Sequence, residues 1–570
     1  MSTVYDYVVI GAGSAGCVVA TRLSEDSNCT VLLLEAGPSD VEYPNIAIPA
    51  MVATLQQTDI DWNFKTVPQK HAAQAYTDGK IIWPRGKVLG GSSSLNFMAY
   101  VRGHSADYDS WESLGCDGWG WKDVLPYFIK SENNTCKKYT DPKFHGVGGP
   151  LTISDHHSYR SLLSKEFIKA GIELGYPEID INDGNCIGFG DCPVTISDGE
   201  RNSTARAFLR PAMDRDNLTV TTSALVTKIL IEDNKAVGVE YMTGERTESA
   251  YVTKEVALCG GVINSPQILM LSGIGPRAHL QSLGIECITD LPVGKNLQDH
   301  IFCQLKGRIN EECGVMSLND VMDSKHQEQY NSDKTGLWTN NGVESYGFIK
   351  SGLVKDIEWP ELQVIAFPMY YSLGPEEPKV LGIKSKDLYP CFGYDVNQED
   401  VMSRKGFIFT TFILHPKSVG EITLASKDPN EPPIIDPHYL EDPHDVKVLA
   451  EGLRFGKRFT ETSVMRRFEA KLNETKMPGQ SGDAFSDENL EIYIRNIANT
   501  LHHQSGTCKM GGIDDDTAVV DPKLRVRGIK GLRVIDGSIM PHSISGNTNA
   551  PCIMIGERGA DLIKSSSPDE

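Results

Sequence analysis

Two histidines stand side by side in LHHQSGTCKMG, residues 501–511 of this 570-residue chain. Imidazole is the side chain best suited to move a proton near neutral pH. Paired histidines also suggest a metal, yet no carboxylate or third histidine lies at ligand spacing from His502 and His503. In an extended segment the two rings would point to opposite faces, so they are not expected to share one ion. The thirteen cysteines are odd in number, scattered and without a C-x-x-C pair, which argues for buried thiols rather than a zinc set. No metal is expected.

A second kind of chemistry is written at the start, in YDYVVIGAGSAGCVVATRLSEDSNCTVLLLEAG. Val8 to Ile10 reads as a buried strand, Gly11, Gly13 and Gly16 as a G-x-G-x-x-G turn, Ala15 to Leu23 as a helix, and Thr30 to Leu34 as a second strand ending at Glu35. Gly11 permits the tight turn, Gly13 lets backbone approach a pyrophosphate, and Gly16 lets helix and strand pack closely. The helix N-terminus offers free N–H groups to the phosphates, and Glu35 can accept from a ribose diol. Ser14, Ala15 and Ala36 complete the expected contacts of this unit. No second fingerprint follows, so a single dinucleotide is expected.

The stretch WPRGKVLGGSSSLNFMAYVRG, residues 83–103, is glycine- and serine-rich in a way that would let backbone lie against a flat ring. Arg85, Gly90, Gly91, Ser92 and Asn96 are the candidates there. This stretch resembles the signature of the glucose-methanol-choline oxidoreductases. GGVINSPQILMLSGIGP from Gly260, the HHQSGTCKMG segment and GLRVIDGSIMPHSISGNTNAPCIMIGERGADLI from Gly531 agree with the same family, in its order.

The resemblance implies FAD and oxidation of an alcohol by hydride transfer to the flavin. Members with a covalent flavin carry a histidine where this chain has Leu95, so a noncovalent cofactor is expected. The family's catalytic histidine stands three residues before the glycine of the G-T motif, which selects His503. Its polar companion, His or Asn, falls on Asn547, and an amide can orient an oxygen but cannot take its proton. By resemblance Asp536, Gly537, Asn549, Gly260 and Val226 also contact the cofactor. Oxygen, a quinone or another acceptor would take the electrons. A hydroxynitrile lyase on the same scaffold, a sugar dehydrogenase of glucose type and a non-catalytic FAD-binding protein are the rival readings.

The elements that must position these groups give an α/β chain, α+β overall: a Rossmann-type FAD-binding domain and a discontinuous substrate-binding domain on an antiparallel sheet. The expected division is 1–155, 205–305 and 505–564 for FAD, 156–204 and 306–504 for substrate, with 565–570 a flexible tail. Leu218 to Gly261 reads as an antiparallel meander turning at DNK and TGE. Gly406 to Pro416 reads as an alternating strand, and Val446 to Phe459 as a surface helix. In GVESYGFIKS, Glu344, Tyr346 and Phe348 would share a strand face and, with Trp62, offer the carboxylate and aromatics that a quaternary ammonium wants.

Composition limits the partners. With 55 basic and 76 acidic residues the formal charge is -21, which disfavours nucleic acid and anionic lipid. No apolar run reaches the ~18 residues of a spanning helix, and no secretory leader precedes the first strand. A small-molecule alcohol substrate, a cytoplasmic location and a possible homodimer are the remaining expectations.

Overall fold

The computed structural model describes residues 3–155, 158–370, 377–393, 402–473 and 475–566. Residues 567–570 of the expected tail lie outside that set.

Two large sheets organise the chain. The first runs, edge to edge, Leu218–Thr221, Val31–Leu34, Thr3–Ile10, Arg246–Leu258, Lys235–Thr243 and Ala224–Glu232, with Leu532–Val534 also beside Arg246–Leu258. Val8, Val9 and Val31 to Leu34 are fully or almost fully buried, as strands covered on both faces must be. The Gly16–Leu23 helix packs against the closing helix Asn549–Lys564, which brings the C-terminal segment back to the opening turn.

The meander is real but belongs to this same sheet. Arg246–Leu258 is thirteen residues long and serves two partners on one edge. Its first half pairs antiparallel with Lys235–Thr243, and its last residues pair parallel with Leu532–Val534. Asp233 and Asn234, both at positive φ, turn the first hairpin. Leu218–Thr221 is no part of the meander: it pairs parallel with Val31–Leu34.

The second sheet is antiparallel throughout, in the order Lys471–Leu472, Ile301–Arg308, Phe407–Ile413, Leu362–Phe367, Ser345–Ile349, Gly188–Asp191, with Asn499–Thr500 beside Ile301 and Phe302. Ile301–Arg308 runs unbroken through the boundary expected at 305. Phe407–Ile413 is buried at every residue, not alternating with solvent, because both faces are covered. The helix expected on the surface spans Pro443–Thr460 and buries Val446, Leu449, Leu453 and Phe459 against that strand. Asp442 caps it by accepting from the His444 N–H at 2.8 Å. Among the described residues no helix is long and apolar enough to cross a membrane.

Candidate active site

The parallel strands of the first sheet end at a cleft of about 1090 Å³, counting its open mouth. That crevice beyond the carboxyl ends of the strands is where open α/β sheets hold ligands. Gly11 sits at φ +92°, and a Cβ there would lie 2.6 Å from the Cys259 carbonyl oxygen. A Cβ on Gly16 would fall 1.8 Å from the Gly11 oxygen, so helix and strand touch only because residue 16 is glycine. Gly13 differs: a Cβ there would meet nothing within 4 Å, and the residue lines the cleft.

Glu35 accepts from the Ala12 N–H at 2.8 Å and from the Gly37 N–H at 2.9 Å, so it braces the glycine turn as well as lining the cleft. Burial pushes its carboxyl up to about 7. Ser14 donates to Asn549 Oδ1 at 2.7 Å, tying the turn to the first residue of the closing helix. Thr548, not Asn549, is the cap position of that helix.

The 86–94 loop leans on the same turn. Gly90, at φ +88°, donates its N–H to the Ala12 oxygen at 2.8 Å, and a Cβ on Gly91 would fall 2.7 Å from the Gly13 Cα. Ser93 and Ser94 spend their hydroxyls on the Gly90 and Leu89 carbonyls, while Ser92 faces the cleft. Asp536 holds the far wall by accepting from the Gly261 N–H at 2.9 Å, Ser265 Oγ at 2.6 Å and the Ser538 N–H at 2.8 Å. All the expected cofactor contacts line the cleft except Gly16, Gly90, Asn96 and Asn549. Asn96 is instead held by the buried Arg201, which donates to its carbonyl at 2.6 Å and its Oδ1 at 3.0 Å.

His503 lies beyond this cleft, next to Gln504 on its wall. Its Nε2 stands 3.1 Å from Asn547 Nδ2 and its Nδ1 3.0 Å from His300 Nδ1. An amide N–H can only donate, so Nε2 carries the lone pair, and Nδ1–H donates to His300; the tautomer follows from the network. Asp299 fixes the backbone by accepting from the His503 N–H at 3.0 Å, and it also accepts from Thr500 Oγ1 at 2.5 Å, Gln504 Nε2 at 3.1 Å and the Tyr439 hydroxyl. Burial, then the neighbouring His300, His502 and Arg85, hold His503 well below the usual histidine range. The ring is a neutral base.

His502 corrects the premise of an extended segment. It sits at φ +65°, in the left-handed region, so the backbone is not extended there. Its carbonyl accepts from Arg85 at 2.9 Å, its side chain is half-buried with Nδ1 inaccessible and unpaired, and desolvation pushes the imidazole down to about 3. Among the described residues no group of three His, Cys, Asp or Glu could hold a metal.

The expected substrate residues scatter. Tyr346 is buried beside Asn547. Trp62 lines the cofactor cleft, stacked on Phe64 at 5.7 Å with Lys87 Nζ 4.8 Å from its ring centre. Glu344 accepts from the Ser161 N–H at 3.0 Å and hydroxyl and from Asn340 Nδ2 at 2.6 Å, so its carboxylate is consumed in packing. Sequence reasoning missed Asp299 and His300. Their signal was available as the adjacent acid and imidazole of NLQDH, but nothing local links them to residue 503.

Comparison with known proteins places these residues in a family. Profiles described as GMC oxidoreductase match residues 5–302 and 416–556. The alcohol dehydrogenase [acceptor] of Pseudomonas putida is 40% identical over 567 residues, 98% of this chain and 95% of that one. The mitochondrial choline dehydrogenase of Homo sapiens is 38% identical over 575 residues, 98% and 90% of the two chains. The crystal structure of pyridoxine 4-oxidase from Mesorbium loti superposes with a TM-score of 0.82 at 29% identity, covering 99% of this chain and all of that one.

Proposed function

This chain belongs to the GMC oxidoreductase family, an FAD-dependent enzyme acting on CH–OH groups. On that premise we propose that it oxidises its alcohol to an aldehyde or ketone with His503 as base and Asn547 as the group that holds the oxygen. The observation that carries this is the setting of His503, with Nδ1 3.0 Å from His300 Nδ1 and Nε2 3.1 Å from Asn547 Nδ2, from which the tautomer with a lone pair on Nε2 is inferred.

A hydroxyl placed between the two side chains accepts from Asn547 Nδ2 and donates to His503 Nε2. Proton transfer to that nitrogen leaves an alkoxide-like oxygen under the amide, which makes the carbinol carbon a far better hydride donor. General-base assistance of this kind typically contributes ~10²- to 10⁴-fold. Burial keeps the imidazole neutral and ready to accept. Asp299 and His300 act through His503, one on its backbone and one on its ring.

The cleft suits FAD on this structure's own terms. Bare glycine at 13 and 261 leaves wall that a Cβ would fill, and the Gly16–Leu23 helix turns its N-terminus to the same space. Bound there, FAD supplies the hydride acceptor, and oxygen, a quinone or another acceptor closes the cycle. The first sheet with its helices would hold FAD, and the second would roof the substrate. Leu95, buried among Ile46, Leu55, Ile60 and Val88, is an apolar residue where a linking histidine would stand, which supports a noncovalent flavin.

Acid precipitation of the purified enzyme, followed by anaerobic addition of alcohols to fresh protein, tests this reading. Yellow FAD in the supernatant and bleaching of the visible band by an alcohol are expected. Colour retained in the pellet would contradict noncovalent binding, and a flavin that no alcohol bleaches would overturn redox turnover in favour of the lyase.

A further inference from the structure

The second sheet has two unlike faces. Leu362, Val364, Phe407, Phe409 and Ile413 pack toward the helices, in one apolar cluster with Leu449, Leu453 and Phe459. Side chains of opposite parity, Tyr346, Phe348, Ile365 and Phe412, form a separate cluster with Ala99 and Val101, onto which Phe302 and Phe367 pack. Gln363 sits among these aromatics: Phe348 and Phe412 are its cross-strand partners, and Phe302 is paired with Phe412.

Gln363 is fully buried, and its Nε2 donates to Asn547 Oδ1 at 3.4 Å. Its Oε1 is buried without any partner. A buried amide oxygen left unpaired costs roughly 1–3 kcal/mol, which a bound donor would relieve. The carboxylates nearest in sequence are engaged elsewhere, Glu344 by Ser161 and Asn340 and Glu361 by the Ser351 N–H and hydroxyl. The formal charge felt at His503 is the positive one of Arg85. Among the described residues, Asp299 beside His503 is likewise spent on the His503 N–H, Thr500, Gln504 and Tyr439, so a buried cation would meet no carboxylate left to compensate it, and a polyol would find too few partners on an apolar face.

Resting on the reading above, we propose that Gln363 positions Asn547 and, with this face, selects the substrate: an uncharged primary alcohol with an apolar aryl or alkyl body. The amide of Gln363 holds Asn547 so that Nδ2 points at the reacting oxygen; the alcohol's one hydroxyl proton goes to His503, and Oε1 is left to accept from a ligand that carries a second donor, such as the amide of benzamide.

The test is anaerobic rapid mixing of the holoenzyme with benzyl alcohol, 1-hexanol, choline and glucose, together with Gln363→Leu and Gln363→Glu. In wild type the first two should reduce the flavin with a rate-to-affinity ratio at least ~100-fold above the last two, the scale on which polar and apolar sites discriminate. Gln363→Leu should lower the limiting rate on benzyl alcohol about tenfold with little change in its apparent Kd, the mark of lost orientation rather than lost binding. Gln363→Glu should raise the choline-to-benzyl-alcohol ratio about tenfold or more by adding the missing negative charge. As a readout apart from turnover, benzamide should raise the thermal midpoint of wild type and not of Gln363→Leu, and tetramethylammonium should raise neither. Choline or glucose outranking both apolar alcohols, or wild-type rates in Gln363→Leu, would overturn the inference and leave the alcohol-oxidising reading standing. A flavin that none of the four reduces would bring down both.

Discussion

At the scale of single residues, the proposed mechanism depends on two polar side chains that are each held to one role. Asn547 cannot take a proton, and His503 cannot point its Nδ1 at the substrate while His300 engages it. Burial holds the imidazole well below the usual value of about 6.5, so on the proposed mechanism the base stays neutral and the rate falls only as pH drops through that depressed range. The acid limb of flavin reduction measured against pH should therefore lie clearly under pH 6.5. Replacing His300 by Asn offers a different partner to Nδ1 and should slow reduction about tenfold while FAD content stays at the wild-type level. His503 and Asn547 were legible in the sequence because each sits in a run of residues that resembles a motif of the family. Asp299, His300 and Gln363 were not legible, because they reach the site across about 180 to 200 residues of intervening chain, through sheet pairing that no local pattern records.

Elements set how closely these groups approach. Gly16 and Gly13 look equivalent in the fingerprint, yet one is hemmed in by the Gly11 oxygen and the other faces open cleft. Gly16→Ala should destabilise the apoprotein by about 1–3 kcal/mol through overpacking. Gly13→Ala should leave apoprotein stability nearly unchanged and weaken FAD retention about tenfold or more. Thermal unfolding of both apo variants with FAD titration separates the two cases. Strand periodicity found the Tyr346 and Phe348 face, but it could not tell that Glu344 lies before the strand and turns back to the Ser161 end of the 162–173 helix. Glu344→Gln should accordingly lower stability by about 1–3 kcal/mol and leave the ranking of alcohols unchanged, as relative rates and a melting curve will show. The 443–460 helix lies at the surface as expected: its amphipathic pattern announces one buried face, and only the sheet beneath reveals how much that face covers.

At the scale of the whole molecule, a nucleotide-type sheet and an antiparallel roof meet where the chain passes from Asp299 and His300 into Ile301–Arg308 and from Asn499–Thr500 into His503. His300 and His503 both hang on that junction. Burying several neutral histidines there has a linkage cost. His300 is depressed to about 4 and His415 and His502 to about 3, below their unfolded values, so stability present above about pH 6.5 is lost as pH falls toward those values. The His502→Gln variant should lose less stability than wild type between pH 6.5 and 4, read as the difference in thermal midpoint. Buried Glu35, Asp107 and Asp299, raised to about 7, 7 and 6, act in the opposite sense in both proteins and cancel in that difference. The most direct measurement of the central claim is anaerobic reduction of the bound flavin by an active alcohol in His503→Ala beside wild type. FAD content at the wild-type level with reduction slowed by at least ~10²-fold is expected; reduction at the wild-type rate would show that the proton goes elsewhere.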